Sequence, residues 1–483
     1  MVIILTILAY FAVLLLFSRL TSRQANNNTF YRGDRRSPWY MVAFGMVGAS
    51  ISGITFVSVP GMVMRTDMTY VQTCIGFILG YFAIAFLLLP VYYRLNLTTI
   101  YSYLKERLGK RSYKTGAWFF LTSKMTGAAV RFYVVCIILQ RFVFDAVGVP
   151  FPITVVGMTL LIWLYTRRGG IKTLVWTDTF QTTCMFAALL LIIYNVTQQL
   201  GMSVGEAVQA VAADEHSRMF VWDDWVSTQN FWKQLLSGAF IAIVMTGLDQ
   251  DMMQKNLTCR NLREAQQDMC CYGLAFLPVN ALFLGMGILL YSLCAQQGIT
   301  PPATGDELLP WLVSSGTLGQ WVIIPFTIGI VAAAFSSADS AMTALTTTIC
   351  VDLLGISEEN EQQTHAETLR RLVHIAVAVA FALFILIFKV VGNDNILNAI
   401  YVMASYTYGP LLGLYAFGLF TKRRIDDRFT PYICLAAPLI CGLLDHYAPL
   451  WWGYSFGYEL LMLNGLLTFG ALWVNKCRLG LNQ

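Results

Sequence analysis

Four stretches of an otherwise apolar chain carry oxygen atoms and charge at helical spacing. Residues 332–343 read Ala-Ala-Ala-Phe-Ser-Ser-Ala-Asp-Ser-Ala-Met-Thr. Ser336, Ser340, Thr343 and Thr347 fall on one face of a helix, with Ser337 beside them. Several hydroxyls and one carboxylate on one stripe suit a hard, weakly held cation. They suit zinc or copper badly, since no His or Cys accompanies them. A polar packing seam is the plainer reading of the same stripe.

Residues 45–61 gather three glycines, three serines, a threonine and a Pro-Gly pair. A continuous helix is not expected there. A break inside a membrane frees backbone carbonyls, which can replace the water around an alkali cation. The alternative is a small-residue packing face with serines bonded back to their own helix. Asp178 stands in Thr177-Asp178-Thr179-Phe180-Gln181, where it is an ion ligand, a proton site or the partner of a nearby Arg. Lys124 and Arg131 lie seven residues apart and so share a face. Lys124 is placed to snorkel toward an interface. Arg131 lies deeper, either to capture an anionic group such as a carboxylate through its fork of donors or to hold a fixed pair.

These residues need elements to carry them, and composition says which. Of 483 residues, 57% are hydrophobic and 12% charged, with mean hydropathy +0.60. Such a chain sits in lipid. A span needs roughly 20 apolar residues, and runs of that kind occupy about 2–18, 39–63, 70–93, 115–142, 150–166, 172–197, 231–248, 269–294, 319–350, 370–391, 396–420, 430–447 and 454–474. The expectation is an all-α polytopic membrane protein of about 13 transmembrane helices, forming a single transmembrane domain over 1–483. The run 2–18 lacks a basic leader and a small-residue cleavage site, so it reads as a retained span. Residues 198–230 read as an interfacial hairpin or helix, and Thr98–Arg107 as an amphipathic surface helix.

Alternate loops collect 25 of the 32 Lys and Arg residues, in groups such as Arg32-Arg35-Arg36, Lys110-Arg111-Lys114 and Lys422-Arg423-Arg424. The other side holds little beyond Arg65, Arg141, Arg218 and Lys233. The positive-inside rule makes the crowded side cytoplasmic, with the N-terminus outside and the C-terminus in the cytoplasm of a cell whose plasma or inner membrane holds the chain. The net charge of +5 is this bias and gives no reason to expect nucleic acid. The 11 cysteines are scattered through apolar runs and the four histidines are far apart. No metal cluster or nucleophile–base pair is visible, so an enzyme is not expected.

These motifs resemble the sodium:solute symporter family, which includes sodium/glucose, proline, pantothenate and iodide cotransporters. The marks are Ser52 to Gly61, the run Gly169-Gly170-Ile171 through Gln181, Gly247-Leu248-Asp249-Gln250 leading to Gln254-Lys255, Ala333 to Ser340, and Gly409-Pro410-Leu411-Leu412-Gly413. The resemblance runs from about residue 40 to 425. It implies a LeuT-type fold: inverted five-helix repeats at about 39–197 and 231–420, with one extra N-terminal and two extra C-terminal helices.

The family's shared sodium site maps onto Gly48, Ile51, Ala333, Ser336 and Ser337. A second sodium, present in some members, maps onto Asp178, Ser337 and Ser340. The substrate would lie at the break, lined by Ser52, Thr55, Phe56, Tyr70, Arg131, Met245 and Thr246. Ile54-Thr55 stands where the sugar carriers have a Glu-Gln pair, which argues against a neutral hexose. An Arg at the position of Arg131 occurs in members that carry acidic sugars. The resemblance therefore implies a sodium-coupled symporter that imports a small organic solute, carboxylated or sugar-like, and works as a monomer in the bilayer with Na+ as coupling ion. A proton-coupled symporter, or a sensor or channel on the same scaffold, is the alternative.

Overall fold

A computed structural model describes residues 2–23, 25–225, 227–356, 363–391, 396–454, 456–457 and 459–475. Among them there is no β-strand, and the one isolated bridge joins Ser37 to Cys259. Hydrocarbon cannot satisfy a free backbone amide or carbonyl, so an apolar chain that spans it closes its hydrogen bonds within helices.

The main helices are α1 (Val2–Thr21), α2 (Trp39–Ser50), α3 (Gly53–Thr66), α4 (Tyr70–Ala83), α5 (Lys110–Leu139), α6 (Phe151–Thr166), α7 (Ile171–Gln199), α8 (Phe231–Ala242), α9 (Gln250–Asn256) and α10 (Leu262–Gln296). They continue as α11 (Ile323–Thr348), α12 (Gln363–Val391), α13 (Ile396–Phe420), α14 (Thr430–Trp452) and α15 (Glu459–Val474). Every apolar run read from the sequence coincides with one of these helices or with a bent pair of them. Among the described residues, seven helices are long and apolar enough to cross a membrane, and nine spans result if each bent pair counts as one. The full count of thirteen would need shorter helices such as Phe151–Thr166 and Glu459–Val474 to cross as well.

Among the described residues, two spans are broken. Trp39–Ser50 and Thr55–Thr66 meet at 59°, and Phe231–Gly247 and Gln250–Asn256 meet at 72°. The second break follows a π-helical stretch at Ile243–Gly247, where one extra residue widens the turn. Outside the spans, the 198–230 segment holds a ten-residue helix, Val204–Ala213, started by a capping box of Ser203 and Glu206. The surface helix expected over Thr98–Arg107 is shorter, Ser102–Arg107, because Thr99, Ile100 and Tyr101 ahead of it are drawn inward and buried.

The core is built around α11, most of whose residues are buried. It packs on α7, α5 and both halves of the first broken span. Glycine lets these helices approach closely. A Cβ added at Gly48 would lie 1.9 Å from Thr182 Oγ1 on α7, and one added at Gly45 would lie 3.0 Å from Asp178 Cβ. Gly48→Ala should therefore push α2 off α7 and destabilise the protein by about 1–3 kcal/mol, the usual cost of overpacking. A thermal melt of the purified variant checks this, and Thr182→Ala in the same chain should recover part of the loss.

Candidate ion and solute site

The first break is shaped by its own polar residues. Ser52 leaves the helix in extended conformation, and its hydroxyl accepts from the Thr55 amide at 3.4 Å, capping α3. The Ile51 amide donates back to Val47 at 3.1 Å and the Ser52 amide to Ser50 at 3.1 Å. Among the described residues no backbone amide donates to the carbonyls of Gly48 or Ile51. Among the described residues these two carbonyl oxygens take no backbone amide, and they lie at the negative end of α2, where the helix dipole favours a cation.

Across from them lies the hydroxyl stripe of α11. Ser337 Oγ donates to Ala49 O at 3.0 Å and lies 3.3 Å from Ala333 O. It therefore ties α11 to the break one residue from Gly48. Ser336 turns the other way and donates to Asp178 Oδ1 at 2.8 Å. Of the five residues expected at the shared sodium site, Ile51, Ala333 and Ser336 are buried, Gly48 is sealed against Thr182, and Ser337 is half-buried.

Asp178 has a partner that sequence reasoning missed. Lys255 Nζ stands 2.7 Å from Asp178 Oδ2, and the two side chains are 2% and 1% exposed. Ser340 donates to Asp339 Oδ1 at 3.2 Å instead of reaching Asp178, and Tyr165 donates to Asp339 Oδ2 at 2.6 Å. The three residues read as a second sodium set thus point to three different partners: Asp178 to Lys255, Ser337 to Ala49, Ser340 to Asp339. The open choice for Asp178 included an Arg partner, and the residue found there is a lysine. Lys255 stands in the Gln254-Lys255 pair already marked as a motif, and the signal was its position on α9, one turn past the second break.

Lys124 does not snorkel. Its Nζ lies 3.1 Å from Asp249 Oδ2 and 2.6 Å from Asp251 Oδ2. Asp249 caps α9 by accepting from the Asp251 amide at 2.8 Å, and Tyr408 donates to its Oδ2 at 2.6 Å. The lysine thus fastens α5 to the second break.

The residues expected to line a solute are spread around the two breaks. Ser52 and Thr55 lie together, their hydroxyls 3.3 Å apart. The ring of Phe56 is fully buried, with centroids 5.3 Å from Phe283 and 6.4 Å from Phe326, a packing position. Tyr70 sits edge-on to Phe77 at 6.3 Å. Met245 is half-buried on the π-helical stretch. Thr246 is buried beside Tyr81 and Tyr272, whose hydroxyls are 2.9 Å apart. Tyr272 also meets Ser50 Oγ at 2.6 Å, so a hydroxyl chain runs from the first break toward the second. Neither tyrosine was singled out from the sequence, because each sits in an apolar span and its partner is 191 residues away in the chain.

Arg131 is half-buried, and among the described residues no carboxylate lies within ion-pair distance of it. One turn further along the same face, Val135 fills the space beside Gly53, where an added Cβ would come within 2.5 Å. Arg131 therefore stands on α5 one turn before a residue that touches the break.

Comparison with known proteins identifies the family and the fold. The family model described as "Sodium:solute symporter family" matches residues 30–427. The sodium/sialic acid symporter SiaT of Proteus mirabilis is 26% identical over 426 residues, covering 85% of this chain and 83% of that one. The human sodium/iodide cotransporter is 24% identical over 409 residues, 82% of this chain, and the match spans 62% of that protein's length. Among solved structures, an outward-open, substrate-bound Na+-coupled sialic acid symporter aligns with TM-score 0.82 at 20% identity, over 98% of this chain and 97% of that one. A nucleobase-cation-symport-1 family transporter aligns with TM-score 0.61 at 14% identity, over 93% and 94%. Identities this low speak to the fold alone, which is the LeuT-like helical one expected from the sequence. The chain belongs to the sodium:solute symporter family, multi-pass membrane proteins whose coupling ion is Na+.

Proposed function

We propose that this chain is a sodium-coupled symporter that imports a small carboxylated solute by alternating access. The observation that carries the reading is the pair of carbonyls at Gly48 and Ile51, which take no backbone amide among the described residues and flank the Ser337–Ala49 bond. Sodium would be held by those carbonyls, Ala333 O and the hydroxyls of Ser336 and Ser337. To take the ion, Ser337 gives up Ala49 O and turns its oxygen lone pairs to the cation, while Ser336 does the same at Asp178. The ion then replaces the Ser337–Ala49 hydrogen bond as the link between α2 and α11. It biases the transporter toward the state in which that link is short, and only as far as it prefers that state. Opening toward the cytoplasm separates the helices and releases the ion, aided by about 2.3 kcal/mol per charge for every 100 mV.

The breaks in α2–α3 and α8–α9 each fall in the first span of one proposed repeat, 39–197 and 231–420, which supports inverted repeats. Asp178 is already balanced by Lys255, so a second sodium there would have to displace the ammonium. That favours one sodium per cycle. The charge bias of the loops supports an N-terminus outside and a C-terminus in the cytoplasm. The solute reading rests on Arg131, a half-buried cation near the break with no acidic neighbour within reach among the described residues.

Uptake of labelled carboxylates into proteoliposomes tests the scheme. Sodium dependence should be hyperbolic in the parent protein, and Ser337→Ala should raise the sodium concentration for half-maximal uptake about tenfold, the loss of one ion contact of about 1.4 kcal/mol. Equal accumulation with potassium in place of sodium would defeat sodium coupling. Uptake driven by a pH gradient without sodium would replace it with proton coupling.

A further inference from the structure

We propose that the start of α5 and the start of α14 together form a binding site for the headgroup of an anionic phospholipid. A shallow cavity of about 470 Å³ opens there, lined by Lys110, Arg111, Lys114, Trp118, Asp427 and Pro431. The three basic side chains are exposed, and among the described residues none has a carboxylate within ion-pair distance. Among the described residues the Arg111 side chain reaches the Arg428 carbonyl, at 3.4 Å, and no other acceptor.

The one carboxylate in the lining is turned to another task. Asp427 accepts from the amides of Arg111 and Ser112 at 2.6 and 2.8 Å and from the Ser112 hydroxyl at 2.5 Å, capping α5. Its neighbour Asp426 accepts from the Arg428 amide at 3.0 Å. The cavity mouth therefore presents three cations and little opposing charge.

A second feature identifies the occupant as a lipid. Trp118 is 58% exposed at the cavity, and α14 leads away from it with Tyr432, Leu435 and Leu439 exposed at successive turns. Tryptophan prefers the depth of the headgroups. The apolar strip on α14 runs from the cavity along the outer surface of the bundle, where acyl chains lie. A free phosphate would use the cations and leave the strip bare. A phospholipid uses both.

Native mass spectrometry of the full chain, released from nanodiscs of mixed phosphatidylglycerol and phosphatidylcholine, reads the site directly. The parent protein should retain phosphatidylglycerol in preference to phosphatidylcholine. K110Q/R111Q/K114Q should bind it about a hundredfold more weakly, at roughly fivefold per cation. The helix cap uses Asp427 and backbone amides, so the variant keeps it, and an unchanged melting temperature in phosphatidylcholine would show that it folds. W118A should weaken retention of the lipid and leave any binding of inorganic phosphate unaltered. Equal retention by the triple variant overturns the proposal. So does stabilisation of the parent protein by inorganic phosphate to the same extent as by phosphatidylglycerol, since that would mark a simple anion site.

Discussion

Lys255→Met should leave little folded transporter, and Lys255→Met combined with Asp178→Asn should recover most of it. The pair is closed to water and 2.7 Å long. Removing one partner strands a charge in a low-dielectric interior, at a cost of about 3–5 kcal/mol. Replacing both removes the charge along with the bond and is far milder. Asp178→Asn alone should be as damaging as the lysine change, since it leaves an ammonium with only Asp251 and Asp339 nearby. Yield of monodisperse protein and its melting temperature check the series. Two single variants that fold like the parent protein would mean the pair is dispensable. The recovered double variant then separates structure from coupling, because its sodium dependence can be measured without the ammonium at Asp178. An unchanged sodium requirement would place the coupling ion at the break alone.

The second large effect belongs to Arg131. Arg131→Ala should reduce uptake of a carboxylated solute by two orders of magnitude or more, while the melting temperature stays near that of the parent protein. Hydrogen bonds to charged groups contribute about 1.5–3 kcal/mol each, and a forked contact provides two of them. Folding should be spared because no carboxylate depends on this guanidinium among the described residues. Arg131→Lys should restore only part of the activity, since an ammonium cannot reproduce the planar fork. A variant that transports as well as the parent protein would remove carboxylate capture and leave Arg131 a structural role. A variant that fails to fold would mean that its side chain is a buried partner after all.

Much of the architecture is legible in the sequence because hydrocarbon imposes so few options. Apolar runs of spanning length must be helical, and the Ser50–Ser58 and Ser336–Ser340 patches stand out because polar atoms are costly there. The first break is readable for the same reason: Gly, Ser and Pro gather where a helix cannot continue. What the sequence withholds is partnership. Lys255 and Asp178 are 77 residues apart, and nothing in either local pattern announces the other. Lys124 has the length to snorkel, and only the fold shows that Asp249 and Asp251 are nearer than the interface. Ser336 and Ser337 are adjacent and chemically identical. A rotation of 100° per residue sends one to Asp178 and the other to Ala49. Phe56 reads as a site residue by position, yet its ring fills the space between Phe283 and Phe326.

The glycines of the first broken span show how its two halves are held. An added Cβ at Gly61 would lie 2.0 Å from Gly305 O, and one at Gly287 on α10 would lie 2.1 Å from Pro60 O. Backbone meets backbone there, with no side chain between to give way. The half beyond the break is riveted to α10 and the Gly305 loop, and the half before it is riveted to α7 through Gly45 and Gly48. The short link from Ser50 to Ser52 is then a door hinge whose leaves are screwed to different helices, with the Ser50–Tyr272 bond as a latch between the first leaf and α10. A relative movement of α7 and α10 loads that hinge and latch together, so the Ile51 carbonyl proposed to hold sodium sits where the strain is taken up.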